Sequence, residues 1–280
     1  MRLRSIGLVS PAVDALAQIE GWPAERSAAG VVSADRTWTH GDAVGDFRWA
    51  SVTKVLTATA ALVAAEEGIV DLDEPAGPAG ATVRHLLAHA SGLPFDGDRP
   101  IAQPGQRRIY SNTGFNLVGD LVAERAEMAF EDYLRGAVLD PLGMTATRLD
   151  GPPASGLRGP LEDLLRFGRE LLAPRLVAPE TLAEATSVAF PGLVGVIPDL
   201  GRYEPNDWGL GFELRDAKSP HWTGKQNSER TFGHFGGSGS FLWVDPEAGA
   251  ACASLSDLQF GDWAKDAWPR LSDAVLAELP

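Results

Sequence analysis

Residues 51–67 read SVTKVLTATAALVAAEE, and Gly68 follows them directly. Apolar side chains recur there at the three- and four-residue spacing of one helical face, which predicts a helix from Val52 to Glu67. Glycine is typical just past a helix end. Ser51 is then the predicted N-cap, and Lys54, three residues on, lies on the same side of the helix as the Ser51 hydroxyl.

The pair Ser51 and Lys54 has two interpretations. A serine hydroxyl is a weak nucleophile that needs an adjacent base, and a lysine serves as that base only when burial or nearby positive charge lowers its pKa. The N–H groups at the start of the helix would also stabilise a developing oxyanion. The alternative is a helix cap followed by a surface lysine.

Tyr110 and Asn112 stand on either side of Ser111, where a helix is predicted to begin. A tyrosine can relay a proton if nearby cations acidify its phenol, and an asparagine amide can orient a substrate carbonyl. The alternative is that Ser111 or Asn112 only caps the helix.

The sequence HFGGSG at residues 234–239 lies on a predicted strand. Beside His234, the glycines Gly236 and Gly237 would let a substrate approach the strand edge and its N–H groups. The alternative is a β-bulge or a tight bend.

The order of elements along the chain predicts an α/β (α+β) fold. Amphipathic helices are predicted near both termini, the first with Ser10 as N-cap and Pro11 as its first residue. Further helices are predicted over residues 82–89, 112–126, 130–138 and 161–172, and strands over 28–33, 36–40, 47–49, 208–214, 232–235, 241–244 and 250–255. We expect a sheet domain of residues 1–70 plus 205–280 and a mainly helical subdomain of residues 71–204, with the ligand site between them.

The charge of the chain excludes some classes of partner. With 24 Lys and Arg against 38 Asp and Glu, the net charge is −14, so neither nucleic acid nor an anionic membrane is an expected partner. No apolar run approaches the roughly 20 residues that cross a bilayer, and no signal peptide is recognised. The single cysteine, Cys252, cannot form an internal disulfide. We expect a cytoplasmic protein that acts on a small molecule.

Taken in order, Ser51-x-x-Lys54, Tyr110-x-Asn112 and His234-x-Gly236 resemble the motifs of the serine β-lactamase and penicillin-binding-protein superfamily. The resemblance is to its class C-like branch, which includes family VIII esterases and D-peptidases. The sequences HLLAHASGL at residues 85–93 and WGLG at residues 208–211 are also similar to that branch. The resemblance covers roughly residues 25 to 256.

The resemblance implies an antiparallel sheet flanked by helices, with an inserted helical subdomain. It implies Ser51 as the acylated nucleophile, with Lys54 and Tyr110 as the proton-transfer pair. Asn112 would contact the substrate amide or Lys54. The backbone N–H groups of Ser51 and Gly237 would form the oxyanion hole.

His234 is the main departure from the β-lactamase pattern, because β-lactamases usually carry a lysine there that holds the substrate carboxylate. A histidine is mostly neutral at pH 7, so we expect weaker anion binding at pH 7.5 that improves toward pH 6. The deacylating glutamate of class A β-lactamases also has no match, since Glu162 and Glu170 lie in a predicted helix without the expected asparagine partner. The histidine argues against β-lactams as the natural substrate, and the missing glutamate argues against class A, so that water activation is expected to fall to the Lys54 and Tyr110 pair.

Other side chains also have two interpretations. His85 and His89, four residues apart, could share a metal, but no third ligand is near in sequence, so helix packing and capping are expected. Four aromatic residues could line a substrate pocket or pack in the core, namely Phe95, Trp208, Trp222 and Phe235. No cofactor is implied.

The sequence thus predicts a serine hydrolase that cleaves a small ester or amide through an acyl-enzyme at Ser51. A class C-like β-lactamase or a D-amino-acid peptidase is the alternative among enzymes. Outside the enzymes, the alternative is a catalytically silent binding protein on the same fold, although decay of that kind would show first in Ser51, Lys54 and Tyr110.

Overall fold

The computed structural model describes residues 14–279, which form twelve strands and seven α-helices. The strands are β1 (Ser27–Val32), β2 (Thr37–Gly41), β3 (Phe47–Arg48), β4 (Arg108–Ile109), β5 (Arg148–Leu149), β6 (Leu157–Gly159), β7 (Gly195–Ile197), β8 (Gly201–Tyr203), β9 (Glu213–Leu214), β10 (Phe232–Gly236), β11 (Ser240–Asp245) and β12 (Ala250–Ser256). The helices are α1 (Thr53–Glu66), α2 (Val83–Leu87), α3 (Asn112–Ala126), α4 (Phe130–Leu134), α5 (Leu161–Leu172), α6 (Pro179–Ala185) and α7 (Asp262–Glu278). Turns of 3-10 helix precede β1 at Asp14–Gly21 and α1 at Ala50–Val52.

The main sheet has six antiparallel strands in the order β2-β1-β12-β11-β10-β9. Its strands come from both ends of the described chain, because β1 pairs with β12. Two small sheets, β3-β6-β5 and β4-β7-β8, lie outside it. The predicted fold class, an antiparallel sheet flanked by helices, is confirmed.

Alternating side chains build a core on each face of this sheet, as the two-residue period of a strand requires. In β11, Leu242 and Val244 belong to the core that contains α1 and α5. Phe241 and Trp243 belong to the core on the other face, with α7 and the 3-10 helix at Asp14–Gly21. Both faces of the sheet are therefore covered.

Helix α1 is buried from Thr53 to Ala64, so the rest of the fold encloses it on all sides. The 3-10 turn in front of it contacts β10 and β11. This packing brings the first turn of α1 to the end of β10, and with it Ser51 to the segment that begins at His234.

The strand predicted over residues 208–214 is wrong for most of its length, since only Glu213 and Leu214 form one. Gly211 has a φ of +93°, and the N–H groups of Leu210 and Gly211 donate to the carbonyls of Ala185 and Leu87. The segment therefore bonds to the ends of helices instead of to a neighbouring strand.

The prediction of the first helix is corrected, and the prediction of the domain boundaries stays open. The first predicted helix is a 3-10 helix where it is described, and its predicted cap at Ser10 and Pro11 lies outside the described residues. The boundaries of the two predicted domains stay predictions. No helix within residues 14–279 has the length and apolar character needed to span a membrane.

Candidate active site

Ser51 lies in the 3-10 turn that leads into α1. Its predicted role as N-cap is wrong, because α1 begins after Val52 and has no side-chain cap. Val52 already has helical dihedral angles (φ −60°, ψ −22°), so no extended residue stands at the helix start from which a side chain could fold back. The Ser51 hydroxyl is therefore not used to cap α1.

The backbone around Ser51 is strained and tightly packed. Ala50 has a φ of +44°, a left-handed conformation that is costly for a non-glycine residue. The carbonyl of Trp49 accepts a 2.7 Å hydrogen bond from Ser240 Oγ. A Cβ on Gly236 would lie 2.4 Å from that carbonyl and 3.1 Å from the Ser51 nitrogen. Glycine at 236 therefore lets β10 pass this close to the turn.

Lys54 is fully buried in the first turn of α1, and its amine contacts three oxygen atoms. Nζ lies 2.7 Å from Asn112 Oδ1, 2.9 Å from the carbonyl oxygen of Ala154 and 3.3 Å from Ser51 Oγ. Burial lowers the pKa of Lys54 to about 7, although Asp96 acts in the opposite direction. Near neutral pH, a large fraction of Lys54 is an uncharged amine beside the Ser51 hydroxyl.

The phenol of Tyr110 lies between Ser51 and His234. Its oxygen lies 3.4 Å from His234 Nε2, and Ser51 is close enough to lower its pKa. Burial raises the pKa of Tyr110 above its usual value, and Ser51 only reduces that effect. Lys54 Nζ sits over the ring, 4.8 Å from its centre, and does not acidify the phenol. Tyr110 is therefore a neutral phenol, and the acidification by nearby cations on which the predicted proton relay depended is not found.

His234 is a neutral imidazole with a defined tautomer. Nδ1 lies 2.6 Å from the carbonyl oxygen of Phe235 and must donate to it, which leaves Nε2 to accept from Tyr110. Burial, with the positive charge of Lys54, lowers the pKa of His234 to about 3. The expected gain of charge toward pH 6 is therefore wrong, because the ring is buried among groups that disfavour its protonation.

A cavity of about 110 Å³ opens at Ser51. Gly237 lines it, and three of the four candidate aromatic residues do as well, namely Phe95, Trp208 and Phe235. Trp222 does not; it is buried and donates to Glu213 Oε2 at 2.9 Å. The structure thus brings together all the residues predicted for the site, namely Ser51, Lys54, Tyr110, Asn112, His234, Gly236 and Gly237. Their individual roles stay predictions.

Glu213 also lines this cavity, although it was not among the residues predicted from the sequence. Its carboxylate is buried, with Oε2 2.8 Å from His221 Nε2 and Oε1 2.8 Å from Lys218 Nζ. Burial raises the pKa of Glu213, but His221 and Lys218 outweigh it and lower the pKa to about 2. Glu213 pairs with Gly233, next to His234. The one available signal was an acidic residue inside an otherwise apolar predicted strand.

His85 and His89 have separate structural partners. His85 Nδ1 accepts from the N–H of Thr82 at 3.2 Å in a capping box at the start of α2. His89 Nδ1 accepts from the N–H of Ser111 at 3.1 Å, and its ring packs on Tyr110 with the ring centres 4.5 Å apart. These contacts are the capping and packing roles expected for both residues.

Comparisons with known proteins identify the family and the fold. The family model described as Beta-lactamase matches residues 28–276. Among solved structures, a beta-lactamase from Mycobacterium bovis is 54% identical, with a TM-score of 0.93 over 95% of this chain and 99% of that chain. Simvastatin synthase from Aspergillus terreus is 18% identical, with a TM-score of 0.77 over 98% of this chain and 99% of that chain. At that identity the likeness shows the fold alone.

Curated relatives match over a shorter part of the sequence. A penicillin-binding protein from Bacillus subtilis is 27% identical in an alignment of 136 residues, which covers 37% of this chain and 30% of that protein. Across this relative and two beta-lactamases, from Escherichia coli and Yersinia enterocolitica, the chain matches between 30% and 41% of the relative's length.

Proposed function

The chain belongs to the beta-lactamase family, and from that premise we propose that it is a serine hydrolase that cleaves a small ester or amide through an acyl-enzyme at Ser51. One observation carries the proposal: the buried Lys54 amine, with its pKa lowered to about 7, lies 3.3 Å from Ser51 Oγ. A buried lysine that is partly neutral near pH 7 is the base that a serine nucleophile needs.

Acylation begins when the neutral amine of Lys54 accepts the proton of Ser51 and Oγ attacks the substrate carbonyl carbon. The N–H groups of Ser51 and Gly237 stabilise the oxyanion that forms. As the bond to the leaving oxygen or nitrogen breaks, Tyr110 donates its phenolic proton to that atom. The Lys54 ammonium then returns a proton to the phenolate, so both groups regain their starting state.

Deacylation runs through the same groups. A water molecule in the place of the leaving group loses a proton to the Lys54 and Tyr110 pair and attacks the acyl carbon. Ser51 Oγ leaves with a proton from Lys54. His234 accepts a hydrogen bond from Tyr110 through Nε2 and keeps the phenol oriented toward Ser51.

The pH dependence of kcat/KM is expected to follow Lys54. Its base form is required, so kcat/KM for a neutral ester should rise about tenfold per pH unit below pH 7 and level off above it. His234, with its pKa at about 3, adds no inflection between pH 5 and pH 8. A profile with p-nitrophenyl acetate from pH 5 to pH 9 measures this. A flat profile, or an inflection below pH 5.5, would contradict Lys54 as the base.

Neutral His234 favours uncharged substrates over carboxylates. We expect kcat/KM for p-nitrophenyl acetate to exceed kcat/KM for a chromogenic cephalosporin at pH 7.5. The ratio of the two values should be the same at pH 6, because His234 gains no charge there. His234→Lys should raise the cephalosporin value about tenfold, or about 1.4 kcal/mol, with little gain for the ester. An unchanged ratio in His234→Lys would show that this position does not distinguish substrate charge.

β-Lactam hydrolysis is the second candidate, and the 54% identity to a structure described as a beta-lactamase favours it. The same screen, extended with D-alanyl dipeptides, separates the candidates. A cephalosporin hydrolysed more efficiently than every ester would support the second candidate, and a preferred dipeptide would support a peptidase. Turnover of none of the three substrate classes would refute the proposed function.

A further inference from the structure

An apolar groove of about 460 Å³ adjoins the cavity at Ser51. Most of its lining side chains are apolar, namely Phe95, Ile101, Ile109, Val194, Val196 and Pro198, and its charged members are Arg107, Arg108 and Arg202. Phe95, Tyr110 and Pro198 also line the cavity, so the groove and the cavity adjoin along these three residues. A substrate bound at Ser51 can therefore extend into the groove.

Several apolar side chains in the groove face solvent. Phe95, Ile101 and Val196 are 48%, 56% and 53% exposed, and a contiguous exposed apolar surface of this kind is typical of a binding site. Val196 is the middle residue of β7 and points outward, while its neighbours in the strand are buried.

The groove wall is also fixed in place before any ligand binds. The guanidinium of the buried Arg108 donates to the carbonyls of Ala88, Ala189 and Asn206, and β4 pairs with β7. An apolar ligand would therefore meet a preformed surface, which reduces the entropy cost of binding.

The position of Tyr110 decides which part of the substrate enters the groove. Its phenol is the proton donor to the leaving atom, so the leaving group lies on the Tyr110 side of Ser51, where the groove begins. On the Gly237 side the adjoining cleft is polar, with charged residues Arg26, Asp46, Arg48, Arg158 and Asp257 in its lining. An alkyl chain on the acyl side would meet these charges.

We infer that the groove binds the alcohol portion of the substrate, and that the preferred substrates are esters of medium-length apolar alcohols with short acyl groups. The inference rests on the proposed function and adds the substrate class to it. Each methylene group that becomes fully buried strengthens binding about fourfold. Because the groove is partly open, we expect a smaller gain over several methylene groups, about tenfold in total.

Hexyl acetate and ethyl hexanoate test this inference directly, because they are isomers with the same number of carbons. We expect kcat/KM for hexyl acetate to exceed the values for ethyl hexanoate and ethyl acetate by about tenfold, measured as acid release at constant pH. Val196→Ser should remove most of this preference while the ethyl acetate value stays within about twofold. Val44→Ser, at an apolar residue that is 73% exposed and outside the groove, is the matched control and should leave the preference intact.

The outcomes separate the two levels of the proposal. Equal rates for the isomers, a preference for ethyl hexanoate, or a preference that Val196→Ser leaves unchanged would each overturn the groove assignment while the esterase function stands. Failure to hydrolyse any ester, including ethyl acetate, would refute the proposed function and the groove assignment with it.

Discussion

Ser51→Ala is expected to lower kcat on every ester by roughly 10⁴-fold or more, because the acyl group then has no oxygen to which it can bind. The fold should be kept. The Ser51 hydroxyl caps no helix, and its side-chain contacts are with Lys54 and Tyr110, so the free energy of unfolding should change by about 1 kcal/mol or less. Steady-state kinetics and thermal unfolding of the same preparation measure both effects.

Ser238→Ala is the matched control. Ser238 lies in the same glycine-rich segment as Gly237, and its hydroxyl donates to the backbone carbonyl of Arg48 and lies 3.2 Å from Ser240 Oγ, with no hydrogen bond to Ser51. Its removal should change kcat by less than about threefold. Comparable losses in both variants, or turnover retained in Ser51→Ala, would contradict the assignment of Ser51 as the nucleophile.

Lys54→Met is expected to lower kcat by about 10³-fold and to abolish the inflection near pH 7. Methionine keeps the unbranched apolar stem in its buried site but has no proton-accepting nitrogen. Asn112 Oδ1 and the carbonyl of Ala154 each lose a donor, which should cost about 1–3 kcal/mol of stability. A pH profile of the folded variant distinguishes a lost base from a disturbed fold. An inflection that persists near pH 7 would assign the base to another group.

Tyr110→Phe provides the comparison within the same site. It should lower kcat by a smaller factor, about 10²-fold, and the inflection set by Lys54 should remain. The loss should be larger for an amide than for an activated ester, since a nitrophenolate leaving group needs little protonation. The two variants together separate the proton acceptor from the proton donor.

Local sequence patterns predicted much of the fold. The periodicity of residues 52–67 gave α1 to within one residue at each end, and Leu161–Leu172 forms a helix with the predicted ends. The strand predicted over residues 208–214 failed because its backbone partners are the ends of helices far away in sequence, at Leu87 and Ala185. A propensity pattern holds no information on such partners.

The candidate site shows the same limit. Residue type and spacing identified Ser51, Lys54 and Tyr110, but the state of each group depends on its surroundings in three dimensions. Burial places the pKa of His234 at about 3 and raises that of Tyr110, and neither effect can be derived from the neighbours in sequence. Glu213 was missed for a related reason, since its buried partners Lys218 and His221 follow in an irregular loop.

The most direct test of the central claim is the site of covalent modification by a fluorophosphonate. Intact-mass measurement of the wild-type protein should show one adduct per chain, and peptide mapping should place it on Ser51. Lys54→Met should react far more slowly, and Ser51→Ala should not react at all. No adduct on the wild-type protein, or an adduct on another residue such as Ser238, would contradict the acyl-enzyme at Ser51.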